Sequence, residues 1–271
     1  MPHQVGTTST QLESSPETDS AAQRYRFQRL SLMTILSDMR FEGSAPKPGD
    51  LVPTFDLPTL TGSRIRSRDL AEIGPILLVF GSLTCPMTDR SMPGLRVLYV
   101  RLAERVRFVL VTVREAHPGA TVPQPQTPDE KVAHARALSE IHDVPFDVAI
   151  DDIDGTFLRS LGPKPNSAYL IGRDCRITFR AHSTNDTPAL AEALQDVASG
   201  QAIRRSYSAG VLKAMLRMLR DLGPVLDRAG LGAWNDMWRV MPPLAAIALL
   251  MRIFRLSRQP AALPEDPSRQ S

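Results

Sequence analysis

The 271-residue chain is 42% hydrophobic, so it can fill the core of one or two globular domains and is not disordered as a whole. Its net charge of +3 is too small to indicate nucleic-acid binding by itself. The two cysteines, Cys85 and Cys175, cannot form a disulfide framework, which favours a reducing, cytoplasmic location. We see no secretory signal and no apolar run of the roughly 20 residues that a membrane-spanning helix needs.

The two ends of the chain differ from its middle in composition. Residues 1–20 are rich in Ser, Thr, Gln and Glu, residues 259–271 are rich in Pro, and both stretches are predicted to be disordered tails. In the N-terminal segment 21–43, apolar side chains recur at helical spacing from Ala21 to Met39. This spacing predicts one amphipathic helix before the main domain.

The block from 45 to 200 alternates short apolar runs with helix-like segments. The predicted strands are 75–80, 107–113, 146–150, 167–171 and 176–181, and the predicted helices are 86–105, 128–141, 154–161 and 187–198. Thr127 and Glu130 form a capping-box pattern at the start of the helix 128–141. Helices between buried strands predict an α/β fold of the thioredoxin-like type, a central mixed sheet with helices on both faces.

Residues 201–258 form a basic extension. From residue 200 to 258 there are ten Lys or Arg and three Asp, a net charge of +7. Two amphipathic helices are predicted, roughly 206–229 and 233–256, with a break at Gly230 and Gly232. Three roles stay open for them: packing against the domain, pairing in a homodimer, or peripheral contact with an anionic membrane at its inner face.

Cys85 is the leading candidate for a reactive residue. It follows a predicted buried strand and precedes Pro86, which is favoured in the first turn of a helix. At a helix N-terminus, free backbone N–H groups and the helix dipole are expected to lower the pKa of a thiol and favour the nucleophilic thiolate. The sequence therefore predicts a reactive thiol at the carboxyl edge of the sheet, the alternative being an inert buried cysteine.

The pattern at Cys85 is not that of a dithiol. Thr88 stands where a Cys-x-x-Cys motif has its second cysteine, so the reductant is expected to be an external thiol. Cys175 falls in the predicted hairpin turn 172–175, and we interpret it as a turn residue rather than a resolving thiol.

A second polar segment follows the next predicted strand. Glu115 and His117 come directly after the strand 107–113, and neighbouring parallel strands end at the same edge of a sheet. Either side chain can therefore approach Cys85, and a histidine exchanges protons near neutral pH. The alternative is an ordinary polar loop.

Two segments together resemble the iodothyronine deiodinases. The stretch from Gly81 through Ser82, Thr84 and Cys85 to Pro86 is similar to that family's Gly-Ser-x-Thr-selenocysteine-Pro, and Glu115-Ala116-His117 to its Glu-Ala-His, at similar spacing. The resemblance covers about residues 45–185. It implies a thioredoxin-like fold and thiol-dependent reductive removal of halogen from aromatic rings. In it, Cys85 takes the selenocysteine position, Ser82 and Thr84 are its hydroxyl neighbours, and His117 is a proton donor or halogen-facing group.

The chain departs from the family at several positions. Cys85 replaces the more nucleophilic selenocysteine, Leu83 stands where some members have a cysteine, and Arg114 replaces a glutamate. A second family histidine is expected to be replaced within 124–126, and the membrane anchor of animal members is not found. These differences predict slow dehalogenation and argue against the iodinated hormone that is the family's substrate, while they leave the expected redox fold intact.

Two other classes of function stay open. A peroxiredoxin-like peroxidase has the same fold, but Leu78 and Asn166 occupy positions where that family has proline and arginine. A non-enzymatic adaptor that works through the basic extension is the other alternative. We expect a small electrophilic substrate, no metal and no cofactor, because the histidines are scattered and phosphate-binding glycine loops are missing.

Overall fold

The computed structural model describes residues 16–38, 43–162, 164, 166–208 and 211–256. The predicted tail 259–271 lies outside the described residues, as do residues 1–15 of the predicted N-terminal tail.

Two β-sheets are found in the described chain. A small antiparallel hairpin joins β1 (Asp56–Pro58) to β2 (Arg64–Arg66). The strands of the central sheet are β3 (Ile76–Gly81), β4 (Arg107–Thr112), β5 (Asp147–Ile150), β6 (Ala168–Ile171), β7 (Ile177–Ala181) and β8 (Tyr207–Ser208). Their order is β5-β4-β3-β6-β7-β8, with β3, β4 and β5 mutually parallel and β6 antiparallel to both β3 and β7. Strand β8 adds in parallel beside β7.

Helices cover both faces of the central sheet. The described helices are α1 (Pro16–Tyr25), α2 (Leu32–Asp38), α3 (Leu70–Ile73), α4 (Pro86–Leu102), α5 (Pro128–His142), α6 (Thr156–Ser160), α7 (Thr187–Ala198), α8 (Val211–Ala229), α9 (Leu231–Val240) and α10 (Pro242–Leu256). Side chains of α4, α5 and α7 fill one core with Leu77 and Leu110, and those of α3 and α6 fill the other with Leu78 and Val109. Alternate residues of β3 and β4 thus serve opposite cores, which explains their uninterrupted apolar sequences.

The predicted α/β architecture is confirmed, and the predicted strands and helices of the block 45–200 are present with ends that differ by a few residues. Thr127 accepts from the backbone N–H of Glu130, and the Glu130 carboxylate accepts from that of Thr127, so the capping box is confirmed. The short hairpin β1–β2 was not predicted, because three-residue strands show too little alternation to be recognised.

The predicted single helix from Ala21 to Met39 is wrong. The chain forms α1, which already begins at Pro16 inside the predicted disordered tail, and α2, with a non-helical stretch between them. The side chain of Asp236 in α9 accepts from the backbone N–H of Leu30 in that stretch. This tertiary contact satisfies a backbone group outside any helix, so local periodicity misled the prediction.

The basic extension has three described helices rather than the predicted two. The break at Gly230 is confirmed, and a second break falls at Met241, directly before Pro242 and Pro243. Proline is tolerated in the first turn of a helix but not in its interior, so the pair starts a new helix. The helices bury a third core against Leu30; its fully buried members are Leu222, Leu226, Ala229, Ala233, Met237, Ala245 and Ala248. None of the described helices combines the length and apolar character that crossing a membrane requires.

Candidate functional site

Cys85 lies at the junction between the central strand β3 and helix α4. It is the N-cap residue of α4, with extended backbone angles and Pro86 in the first turn, as the sequence predicts. Its own backbone N–H donates to the carbonyl of Ser82 in a tight turn. Gly81 pairs with Thr112 at the ends of the parallel strands β3 and β4, so the segments that follow both strands start from one edge of the sheet.

The thiol of Cys85 is buried, with 2% of the residue exposed. Burial raises its pKa to about 11, although the Thr88 hydroxyl and the backbone N–H groups of Thr88 and Met87 favour the thiolate. The expected donors at the helix N-terminus are therefore present, but the expected net lowering of the pKa is wrong for this conformation. Removal of the sulfur from water outweighs the helix N-terminus, so the thiol is protonated at neutral pH.

Thr84 connects the two polar segments. Its hydroxyl donates to the Glu115 carboxylate at 2.6 Å, and its backbone N–H donates to the same oxygen at 2.8 Å. The hydroxyl also accepts from the backbone N–H of His117 at 3.1 Å. The residue before Cys85 is thus attached to both polar residues of the second segment, so these loops form one site.

Glu115 is almost fully buried and acts on the loop rather than on the sulfur. Its second carboxylate oxygen accepts from Nδ1 of His134 at 3.0 Å, and its backbone N–H donates to Gln124. A buried carboxylate with these charge-assisted bonds is a rigid anchor for the turn that carries Cys85. The sequence allowed Glu115 to approach the Cys85 sulfur. In the structure its carboxylate instead contacts Thr84, the residue before Cys85.

His134 is a site residue that the sequence analysis missed. The resemblance led us to expect a second family histidine to be replaced within 124–126, which stays a prediction, but α5 brings His134 to Glu115 from outside the matched segments. The signal was present in the helix periodicity, because His134 lies beside the buried stripe of Lys131, Ala135 and Leu138.

One ring nitrogen of His117, Nδ1, is buried outside the hydrogen-bond network of Thr84 and Glu115. Nδ1 has no hydrogen-bond partner among the described residues, although the residue as a whole is partly exposed. Burial lowers the pKa of His117 to about 4, so the imidazole is neutral at pH 7. A neutral imidazole can accept a proton and return it, which is the property that proton transfer at a thiol requires.

Ser82 is buried behind the loop. Its hydroxyl accepts from the backbone N–H of Ala116 at 3.3 Å, and its backbone N–H donates to Thr88. Ser82 therefore ties β3 to the segment of His117. The hydroxyl that lowers the pKa of the Cys85 thiol is that of Thr88.

Helix α8 of the extension closes over the start of α4. Arg228 donates to the carbonyl of Leu83 at 2.7 Å and to both carboxylate oxygens of Asp89 at 2.9 and 3.0 Å. His142 donates to the same carboxylate. Although burial raises the pKa of Asp89, the bonds from His142 and Arg228 hold it below its usual value. Leu83 and Asp89 lie on either side of Cys85 in the chain, so one guanidinium spans the residues that flank the thiol.

Cys175 is remote from this site. It lies at φ +61° in the turn between β6 and β7, and its thiol donates to the carbonyl of Ser67. Ile171 pairs with Ile76 at the beginning of β3, whereas Cys85 follows the other end of that strand. Six strand residues separate the two ends by roughly 20 Å, so Cys175 cannot resolve an intermediate at Cys85 in this conformation.

The described residues contain no cluster of three or more His, Cys, Asp or Glu side chains able to hold a metal ion. The reactive groups that the structure places in this site are the thiol of Cys85 and, in the adjoining loop, the imidazole of His117.

The fold is shared with solved structures. An uncharacterised conserved protein from Geobacillus kaustophilus superposes with a TM-score of 0.50 at 16% identity, over 62% of this chain and 90% of that one. The chain has a thioredoxin-like fold. A thiol:disulfide interchange protein DsbE from Chlorobium tepidum is also similar, with a TM-score of 0.45 and 22% identity over 57% of this chain and 99% of that one.

One curated relative matches part of the chain. The methylamine utilization protein MauD of Methylorubrum extorquens is 34% identical over 74 residues, which is 27% of this chain and 34% of MauD. The match therefore spans about a third of that protein. No protein-family model matches the chain.

Proposed function

We propose that the protein is a single-cysteine thiol oxidoreductase. Cys85 at the N-terminus of α4, at the carboxyl edge of a thioredoxin-like sheet, is the observation that carries this proposal. Backbone N–H groups of Met87 and Thr88 and the Thr88 hydroxyl stabilise its thiolate, which is the form that attacks electrophiles. The similarity to thioredoxin-like proteins supports a thiol redox reaction.

The substrate class that we propose is a small halogenated aromatic compound, as the resemblance to the deiodinases implies. The Cys85 thiolate attacks the halogen, an S–X bond forms as the C–X bond breaks, and the aryl carbon takes up a proton. His117 supplies that proton after accepting it from the thiol. One external thiol displaces the halide from sulfur and forms a mixed disulfide, and a second releases Cys85 as a thiol, so one aryl halide consumes two thiols and yields one disulfide and HX.

A peroxidase is the competing reaction at the same sulfur. Both reactions begin with attack by the Cys85 thiolate, so the raised pKa of the buried thiol disfavours them equally in this conformation. We prefer the dehalogenase because Leu78 and Asn166 occupy positions where peroxiredoxins have proline and arginine.

The experiment that tests the proposal compares three proteins, all carrying Cys175→Ser to leave one thiol: the parent, Cys85→Ser and His117→Gln. Iodide release from an iodinated phenol and consumption of hydrogen peroxide are followed with dithiothreitol as reductant. Iodide release that disappears with Cys85→Ser and slows with His117→Gln supports the proposal. Peroxide consumption without iodide release assigns the peroxidase. If neither activity is detected, the non-enzymatic adaptor is the interpretation that stands.

A second proposal concerns the extension. The last described turns of α10 expose Leu250, Ile253 and Phe254, each by more than half, within a segment, 200–258, of net charge +7. We propose peripheral contact of this apolar end with an anionic membrane. Flotation of the full chain with vesicles containing phosphatidylserine tests it: Ile253→Asp should reduce binding, and Leu231→Asp, an exposed leucine on α9, should not. Equal binding of both variants would contradict this proposal.

A further inference from the structure

The position of Arg228 raises a question about access to the thiol. Cys85 is 2% exposed, yet the proposed chemistry requires it to meet both a substrate and an external thiol. Arg228 contacts the carbonyl of Leu83, two residues before Cys85, and the carboxylate of Asp89, four residues after it. Its side chain and that of Asp89 are largely shielded from water, at 21% and 11% exposure.

The contact between α8 and the domain continues beyond Arg228. The carbonyl of Ala229 accepts from the backbone N–H groups of Thr121 and Val122, in the loop after His117. Gly119 in this loop lies so close that an added Cβ would stand 2.2 Å from the Ala229 oxygen. One turn of α8 is therefore attached to both segments of the site.

The remainder of α8 is held at a third point. Arg217 donates to the carbonyl of Asn185, in the loop between β7 and α7. Its side chain is otherwise exposed, so this contact is expected to be weaker than that of Arg228. Of these polar attachments of α8, those of Arg228 and Ala229 lie next to the segments that carry Cys85 and His117.

We propose that α8 is an autoinhibitory lid, latched at Arg228 and Ala229, and that Cys85 reacts only when this lid opens. The inference rests on the proposed role of Cys85 as the reactive thiol. It adds that the structure is the latent form and that reactivity is set by a local opening equilibrium rather than by unfolding of the domain.

The test is the rate at which iodoacetamide alkylates Cys85 in the full-length Cys175→Ser protein, followed by mass spectrometry under native conditions. Arg228→Ala removes the charged latch, and Gly119→Ala forces the Ala229 carbonyl away without changing charge. Each should accelerate alkylation by about tenfold or more, because loss of about 1.4 kcal/mol from the closed state raises the open population by that factor.

Matched variants separate opening from general damage. Arg220→Ala removes an exposed arginine of the same helix, and Gly232→Ala adds a methyl group whose nearest neighbours are at 3.4 Å, so neither should change the rate. Val109→Ala weakens the core without touching the lid. Alkylation of Arg228→Ala and Gly119→Ala at the wild-type rate would overturn the lid. The lid would also be overturned if Val109→Ala, at the same loss of unfolding free energy, accelerated alkylation as much as those two variants do.

Failure of the lid and failure of the proposed function are distinguishable. Alkylation measures access to the sulfur and needs no substrate, whereas iodide release measures turnover. Fast alkylation of the wild type together with Cys85-dependent iodide release rejects the lid and retains the function. Alkylation that depends on the lid, without iodide release or peroxide consumption, supports the lid and rejects the proposed function.

Discussion

The Thr84 hydroxyl donates to the buried carboxylate of Glu115 at 2.6 Å while accepting from the backbone of His117, so one side chain joins the segments that follow β3 and β4. Neither segment is regular structure, and each would leave buried polar groups unsatisfied without the other. The site therefore forms as a unit when the two parallel strands pair.

We predict that Thr84→Val destabilises the protein by about 2–3 kcal/mol, because the variant keeps the shape of the side chain but removes a buried donor to a carboxylate. Urea unfolding measures the loss. Thr84→Ser, which restores the hydroxyl, should recover most of the unfolding free energy and of the turnover. A Thr84→Val protein as stable as the parent would show that the hydroxyl does not hold the loop.

Removing His134 should have a related but separate effect. His134→Ala leaves one oxygen of the buried Glu115 carboxylate without its donor, with an expected cost of about 1–3 kcal/mol in unfolding free energy. Exchange of Glu115 for Gln in the same background should reduce that cost, because a neutral amide is less expensive to bury than an unpaired carboxylate. Additive losses in this double-mutant cycle would contradict a direct coupling.

His117 should make the stability depend on pH. Its pKa of about 4 in the folded protein lies below the ordinary value of 6.5, so the neutral form is favoured and the unfolded chain binds the proton first. The resulting stability is present above about pH 6.5 and is lost as the pH falls toward 4. The partial exposure of the residue limits the effect to about 1–2 kcal/mol.

The measurement is the free energy of unfolding of the parent and of His117→Asn at pH 7 and pH 4.5. The parent should lose more unfolding free energy than His117→Asn between pH 7 and pH 4.5, because Asn cannot take up a proton. The stability advantage of the parent over the variant should therefore shrink at the lower pH. Parallel pH profiles for the two proteins would show that His117 is not held neutral by burial.

Cys175→Ser should leave turnover unchanged within about twofold, because its hydroxyl can still donate to the carbonyl of Ser67 and Cys85 lies at the opposite end of β3. Iodide release or peroxide consumption by the single variant measures this. A loss comparable to that of Cys85→Ser would require a large movement that brings the two cysteines together.

Much of this protein was readable from local sequence. The apolar strands, the capping box of Thr127 and Glu130, the N-cap position of Cys85 and the break at Gly230 follow from periodicity, turn residues and capping, which act over a few neighbouring positions. Because parallel strands end at a common edge, the meeting of the Cys85 and His117 segments was also predictable.

The tertiary structure decided what those residues contact and how reactive the thiol is. His134 reaches Glu115 from another helix, and Arg228 reaches Asp89 across 139 positions of the chain, distances that no local pattern encodes. The sequence by itself placed Cys85 at a helix N-terminus and led to an expected low pKa. Only the packed structure, in which the sulfur is buried, reverses that direction, because desolvation depends on every group that surrounds the thiol.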